Sequence, residues 1–133
     1  MADKMQFDLV APERKLASSE ASMVTIPGVE GDLSALPGHA AFLTTLRPGL
    51  VSVHDGGAAE EYLVSGGFAE ISAENVTVLA EEAMPRAEAT RDWIDAKISE
   101  AETRLEEAVG DDARKAAALR LNDFRGLPGL LGL

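Results

Sequence analysis

The 133-residue chain contains no cysteine. That excludes a disulfide frame and any thiolate metal site. Histidine is scarce as well: His39 and His54 are the only two. A zinc centre would need further ligands at close His or Cys spacing, and the sequence has none. Positive charge is in short supply, with 12 Lys and Arg against 23 Asp and Glu, a net charge of −11. A chain so acidic repels phosphate backbones, which excludes nucleic acid as a partner. No run reaches the ~20 apolar residues of a membrane span. The opening Met1-Ala2-Asp3-Lys4-Met5-Gln6 lacks the apolar core of a signal peptide, so no direct lipid insertion is expected.

Catalytic patterns are missing too. Gly56-Gly57 and Gly66-Gly67 fit neither G-x-x-x-x-G-K-[ST] nor G-x-G-x-x-G and read as turns or bulges. No serine sits in a G-x-S-x-G setting. The paired carboxylates Glu60-Glu61, Glu81-Glu82, Glu106-Glu107 and Asp111-Asp112 diverge along a strand or helix, so they read as solvated surface. His39 reads as a turn residue whose ring bonds backbone, and His54 as an exposed turn residue beside Asp55. No catalytic residue, cofactor or metal site follows from these residues.

What is present divides near Met84. Residues 1–84 carry a net −9 and residues 85–133 a net −2. The first region is punctuated by Gly and Pro, at Pro12, Pro27-Gly28, Gly31, Pro37-Gly38, Pro48-Gly49, Gly56-Gly57 and Gly66-Gly67. Between the breaks lie short strand-like runs. In MQFDLV, Met5, Phe7 and Leu9 alternate with Gln6 and Asp8; SMVTI, GLVSV, EYLVSG and NVTVL follow, the last pairing Val76 and Val78 against Asn75 and Thr77. Asp55-Gly56-Gly57 is a tight-turn signal. Regularly spaced short strands predict an all-β sandwich or barrel.

The second region has another grammar. Ile94, Ile98, Ala101, Leu105 and Ala108 form a helical stripe, with Pro85 suited to a first helical turn and Glu100–Arg104 to an i,i+4 pair. Gly110 is a natural stop, and Asp111-Asp112 can cap the next start. Ala113, Ala117, Leu121 and Phe124 make a second stripe that should end at Gly126 and Pro128. This predicts a helical hairpin whose second helix has about 13 residues, roughly 20 Å, followed by an apolar, non-helical GLPGLLGL tail that docks. Trp93, the sole tryptophan, marks the edge of the seam or a partner contact. The expected organisation is a β-sandwich over 1–84 and an α-helical hairpin over 85–133.

The stretch from Val29 to Val53, VEGDLSALPGHAAFLTTLRPGLVSV, resembles the epsilon subunit family of bacterial F-type ATP synthases, which is homologous to mitochondrial delta. Glu30-Gly31-Asp32-Leu33, Pro37-Gly38-His39-Ala40, Leu43-Thr44 and Leu46-Arg47-Pro48-Gly49 match the family pattern in order. Val64-Ser65-Gly66-Gly67-Phe68-Ala69-Glu70-Ile71 and Asn75-Val76-Thr77-Val78-Leu79-Ala80-Glu81 match two more. The resemblance covers residues 5–84 well and the tail in kind.

It implies a ten-stranded β-sandwich followed by two helices, in a non-catalytic rotor subunit of the central stalk. The implied partners are the gamma subunit and the c-ring, with the hairpin reaching toward the alpha and beta subunits of the catalytic head. The implied place is peripheral, on the cytoplasmic face of the bacterial inner membrane, since no transit peptide is seen. Carried over, the Glu30-Gly31-Asp32 loop would face the c-ring, and His39 would sit in a neighbouring turn near the ring and gamma. The family's ATP-binding pattern, [IL]-D-x-x-R-A, ends in a match at Arg86-Ala87. It is broken at Glu82 and Ala83, where the apolar residue and the aspartate should stand. A second reading of the same composition is a free-standing β-sandwich binding module with a dimerising hairpin, though it leaves the three ordered motifs unexplained.

Overall fold

A computed structural model describes residues 4–133. Among them, ten strands precede two helices: β1 Met5–Ala11, β2 Arg14–Ala21, β3 Met23–Gly28, β4 Gly31–Ala35, β5 Phe42–Leu46, β6 Gly49–His54, β7 Glu60–Val64, β8 Gly67–Ile71, β9 Asn75–Ala80 and β10 Ala83–Pro85, then α1 Arg91–Glu107 and α2 Asp111–Leu131. The chain forms two compact units, one ending at Arg86 and one running from Ala87 to Leu133.

The strands follow the order β10-β7-β6-β3-β5-β8-β9-β1-β2, with β4 paired to β3. The link between β3 and β5 is a single pair, Gly28 with Leu46. That corner divides the sheet into two layers, β4-β3-β6-β7-β10 and β5-β8-β9-β1-β2, which close as a β-sandwich. Alternation drives the closure. Met5, Phe7 and Leu9 turn inward from β1, Val24 and Ile26 from β3, Val51 and Val53 from β6, and Val76 and Val78 from β9, and all join one buried core. Period-2 burial of this kind removes apolar area from water at roughly 25 cal/mol per Å².

The connections sort onto two rims. Arg47-Pro48, Ser65-Gly66 and Glu81-Glu82 each cross between layers in two residues at the end that carries the β3–β4 turn, Val29-Glu30. Ser22, the 36–41 loop, the 55–59 loop and the 72–74 turn lie at the opposite end. Gly67 is required at the first rim. Its φ is +135, and a Cβ there would run into the carbonyl oxygen of Leu79.

Several local expectations are corrected. Pro85 is not in a helical turn; it ends β10, opposite Tyr62 of β7. An edge position needs no ladder N–H, so proline is tolerated there. The first helix begins later, at Arg91, because the Thr90 side chain accepts from the Trp93 N–H and caps it. Gly110, with φ +94, rather than Asp111, occupies the cap position of α2, and the two aspartates fill the first turn, where the helix dipole favours carboxylates. Glu100 meets Lys97 at 3.2 Å instead of Arg104.

The largest correction is α2 itself. It spans 21 residues, roughly 31 Å at 1.5 Å per residue, and the supposed tail is its last turns. Helix propensity stops at Gly126, Pro128 and Gly129, but Leu121, Phe124, Leu127, Pro128 and Leu131 bury one continuous face. Burial overrides propensity here. The helix ends at Gly132 in a left-handed cap whose N–H donates to the Pro128 carbonyl.

Candidate interaction surfaces

Three of the four residues singled out in the sequence come together. Glu30 lies at the tip of the two-residue turn between β3 and β4, and Gly31 and Asp32 open β4 beside it. Gly28 and Gly31 face each other across the base of the turn. A Cβ on Gly28 would stand 2.8 Å from the Gly31 carbonyl oxygen, so the turn closes only without one.

The end of β5 buttresses this tip. The Val29 N–H donates to the Thr45 carbonyl at 3.0 Å, and the Arg47 N–H to the Pro27 carbonyl at 2.9 Å. The Arg47 side chain then reaches over the turn. Its Nε donates to the Gly28 carbonyl at 3.1 Å and its Nη2 to Asp32 Oδ1 at 2.7 Å. Asp32 is thereby engaged within the chain, while Glu30 is exposed. A cleft of about 210 Å³ lies between Glu30 and Asp32 on one side and Phe42 and Thr44 on the other.

His39 does not join them. It sits in the 36–41 loop, on the opposite rim, with the whole five-residue strand β4 between. At about 3.4 Å per residue that is some 17 Å, so the expectation of a neighbouring turn is corrected. The imidazole ring bonds backbone: Nδ1–H donates to the Ala40 carbonyl at 2.7 Å. The loop is tied down by the Gly38 N–H, which donates to the Ala73 carbonyl at 2.8 Å. His54 ends β6, with its carbonyl accepting from the Ser22 N–H and hydroxyl at 2.7 and 2.9 Å.

A second surface escaped the sequence reading. On the outer face of β5-β8-β9-β1, Leu43, Phe68 and Leu79 are 67%, 53% and 50% exposed. Phe68 pairs directly with Leu79, and Leu79 with Val10. With Pro12 they border a shallow depression of about 410 Å³. The signal was available: Phe68 and Leu79 fall out of phase with the buried Ala69, Ile71, Val76 and Val78, so these strands carry apolar residues on both faces. A strand apolar on both faces is covered on both, or offers one to a partner.

The broken nucleotide pattern also has a structural account. Both backbone polar groups of Glu82 are engaged by Ser65: its N–H donates to Ser65 Oγ at 3.0 Å, and its carbonyl accepts from the Ser65 N–H at 3.0 Å. Ala83 opens β10. Among the described residues, no cluster of three or more His, Asp or Glu side chains could hold a metal ion, and no helix is long and apolar enough to cross a membrane.

The model of the ATP synthase delta/epsilon chain β-sandwich domain matches residues 4–86. The chain belongs to the ATP synthase epsilon chain family. The epsilon chain of Ruegeria sp. (strain TM1040) is 51% identical over 131 residues, covering 96% of both chains. That of Rhodobacter capsulatus is 49% identical over 133 residues and the full length of each. Among solved structures, a chain of the Euglena gracilis mitochondrial ATP synthase OSCP/F1/c-ring assembly superposes with a TM-score of 0.74 at 25% identity. That match covers 98% of this chain and 83% of the other. A chain of the Tetrahymena thermophila mitochondrial central stalk and c-ring shares the fold, with a TM-score of 0.65 at 20% identity over 93% and 96%. Epsilon chains are non-catalytic subunits of ATP synthase.

Proposed function

We propose that this chain is a rotor subunit of the central stalk, carrying c-ring rotation through gamma to ATP synthesis. In this reading the sandwich sits between two partners. The Val29-Glu30 tip meets polar loops of the c-ring, and the outer face of β5-β8-β9-β1 packs on gamma, with the His39 loop at the far border of that face. The subunit would be peripheral, on the cytoplasmic face of a bacterial inner membrane. The hairpin would reach the alpha and beta subunits and at most tune ATP hydrolysis.

The observation that carries the reading is the Leu43, Phe68 and Leu79 face. A monomer gains nothing by exposing an aromatic and two leucines on adjacent strands, whereas aromatic and apolar anchors supply the core of a protein interface. Charge supports the division of labour. The rim bearing the tip carries Glu13, Glu30, Glu81 and Glu82 in its turns against two cations, Arg47 and the Arg14 that opens β2 beside Glu13, which suits a polar contact, while the sheet face suits a dry one.

Size-exclusion chromatography of this chain with gamma should give a co-eluting complex, with an interface of at least ~1,200 Å² in total. The double variant Phe68→Ser/Leu79→Ser should lose co-elution while keeping its melting temperature, since both side chains face solvent in the free chain. Separate elution of the unmodified chains at micromolar concentration would sink the proposal.

A further inference from the structure

We infer that Arg47 is the positioning residue for the β3–β4 tip, and that Asp32 serves this clamp rather than the partner, leaving Glu30 as the one carboxylate the tip presents. The inference deepens the ring-facing reading above and rests on it.

The geometry is unusual for a surface arginine. One guanidinium spans both sides of a two-residue turn, from the Gly28 carbonyl on β3 to the Asp32 carboxylate on β4, at 3.1 and 2.7 Å. Its own backbone N–H is fixed to the Pro27 carbonyl at 2.9 Å. The base of the side chain is therefore anchored to the element that its head group holds. The following residues, Pro48 and Gly49, fix the exit. A Cβ on Gly49 would meet the Pro27 ring at 2.8 Å, so the two chain segments are as close as backbone permits.

The flanking glycines explain why a clamp is needed. Gly28 and Gly31 are obligatory for closing the turn, but glycine is also the residue that leaves backbone most free. The Val29 N–H bond to the Thr45 carbonyl ties one side of the Gly-Val-Glu-Gly turn to β5, and the guanidinium ties the other side, at Asp32, to the same segment. Arginine suits this task because its planar fork holds two acceptors in a set orientation, which lysine does not do. The Arg47 and Asp32 side chains are 33% and 67% exposed, so the pair adds little to global stability. Its effect is confined to where the tip points.

This assignment separates two acids that look equivalent in the sequence. Glu30 has no hydrogen-bond or ion-pair partner among the described residues, and its carboxylate is open to a partner's donor or cation. Asp32 has already spent one oxygen on Arg47. Charge removal at the two positions should therefore act by different routes.

The test compares Arg47→Ala, Asp32→Asn, their double variant and Glu30→Gln. Two readouts are used: amide exchange of Val29 in the isolated full chain, and ATP-driven proton pumping at matched hydrolysis in membranes reconstituted with each variant. The Val29 N–H is bonded to the Thr45 carbonyl, so its exchange reports whether the tip is held. Arg47→Ala and Asp32→Asn should each speed that exchange by roughly tenfold or more with an unchanged melting temperature. Both should lower pumping per ATP hydrolysed, and the double variant should be no worse than the worse single. Glu30→Gln should lower pumping and leave exchange untouched.

Exchange in Arg47→Ala within about twofold of the parent overturns the clamp. So does a pumping loss in the double variant that multiplies the two single losses, because Asp32 would then be acting on the partner by itself. Normal pumping in Glu30→Gln, with the tip loosened as expected in Arg47→Ala, supports the clamp and overturns the ring-facing reading instead.

Discussion

Arg86 Nη1 donates to Glu61 Oε1 at 2.7 Å, joining the last residue of the sandwich unit to the second residue of β7. Glu61 is itself steadied by the Ser52 hydroxyl at 3.4 Å. The pair holds the three-residue strand β10 on β7, and it also occupies Arg86, the charged one of the two residues of the nucleotide pattern that this chain retains.

The first prediction concerns that latch. A chain ending at Arg86 should unfold cooperatively, with β10 in place. A chain ending at Met84 loses Arg86 and the Pro85–Tyr62 pairing. With both partners part-exposed, the ion pair contributes up to about 1 kcal/mol, a drop of roughly 4–8 °C in a unit of this size. Thermal melting of the two truncations reads the difference. Calorimetric titration of the full chain with ATP should show no binding at millimolar concentration; a saturable heat would mean that Arg86 can leave Glu61 for a phosphate.

The second concerns pH. The Ser18 hydroxyl, across the β1–β2 ladder, holds the Asp8 carboxyl below its ordinary range, and Lys15 acts in the same direction against partial burial. Lys15 Nζ stands 3.1 Å from Asp8 Oδ1. Because the folded-state value is depressed, this stabilisation is complete above the unfolded carboxylate value, about 3.9, and is lost as pH falls through the lower folded one. Asp8→Asn should therefore lower the melting temperature at pH 7 and narrow the gap to the parent as the medium is acidified below pH 4. A gap that stays constant to pH 2 would refute the assignment.

The third tests whether burial holds the end of α2. A Cβ on Gly126 would meet nothing within 4 Å, so Gly126→Ala should stabilise the helix by up to about 1 kcal/mol. Phe124→Ala removes a side chain that is 1% exposed and should cost about 3–5 kcal/mol. The helical signal in far-UV circular dichroism of the full chain, together with proteolysis at the C-terminus, separates the two. If Phe124→Ala leaves the last turns protected, packing is not what keeps them helical.

How much of this could be read from the amino acids differs by element. Met5-Phe7-Leu9 and Val76-Val78 announce their inward face because a strand repeats every two residues and only one side is apolar. The ordered Glu30-to-Gly49 motif fixes the family, and with it the number of strands. Strand β2, Arg14–Ala21, is invisible for the opposite reason: RKLASSEA is mostly exposed and carries no alternation. The end of α2 is hidden in the sequence because Gly126, Pro128 and Gly129 are local helix breakers, and the burial that outweighs them is not local. The Arg47 clamp is likewise hidden, since nothing in Leu-Arg-Pro-Gly shows that the guanidinium returns fifteen residues to Asp32. The resemblance carried over puts His39 in a turn neighbouring Glu30, whereas the strand β4 between the two residues carries them to opposite ends.

The two-rim arrangement has a mechanical meaning. A pull along the strands, from the Val29-Glu30 tip toward the 36–41 loop, runs at right angles to the ladder hydrogen bonds. The five paired positions between β5 and β8, and the five between β8 and β9, both antiparallel, then bear such a load in shear, all rungs sharing it at once. The same force directed across the sheet would open one rung at a time. A body built this way yields least along the line that joins its two rims.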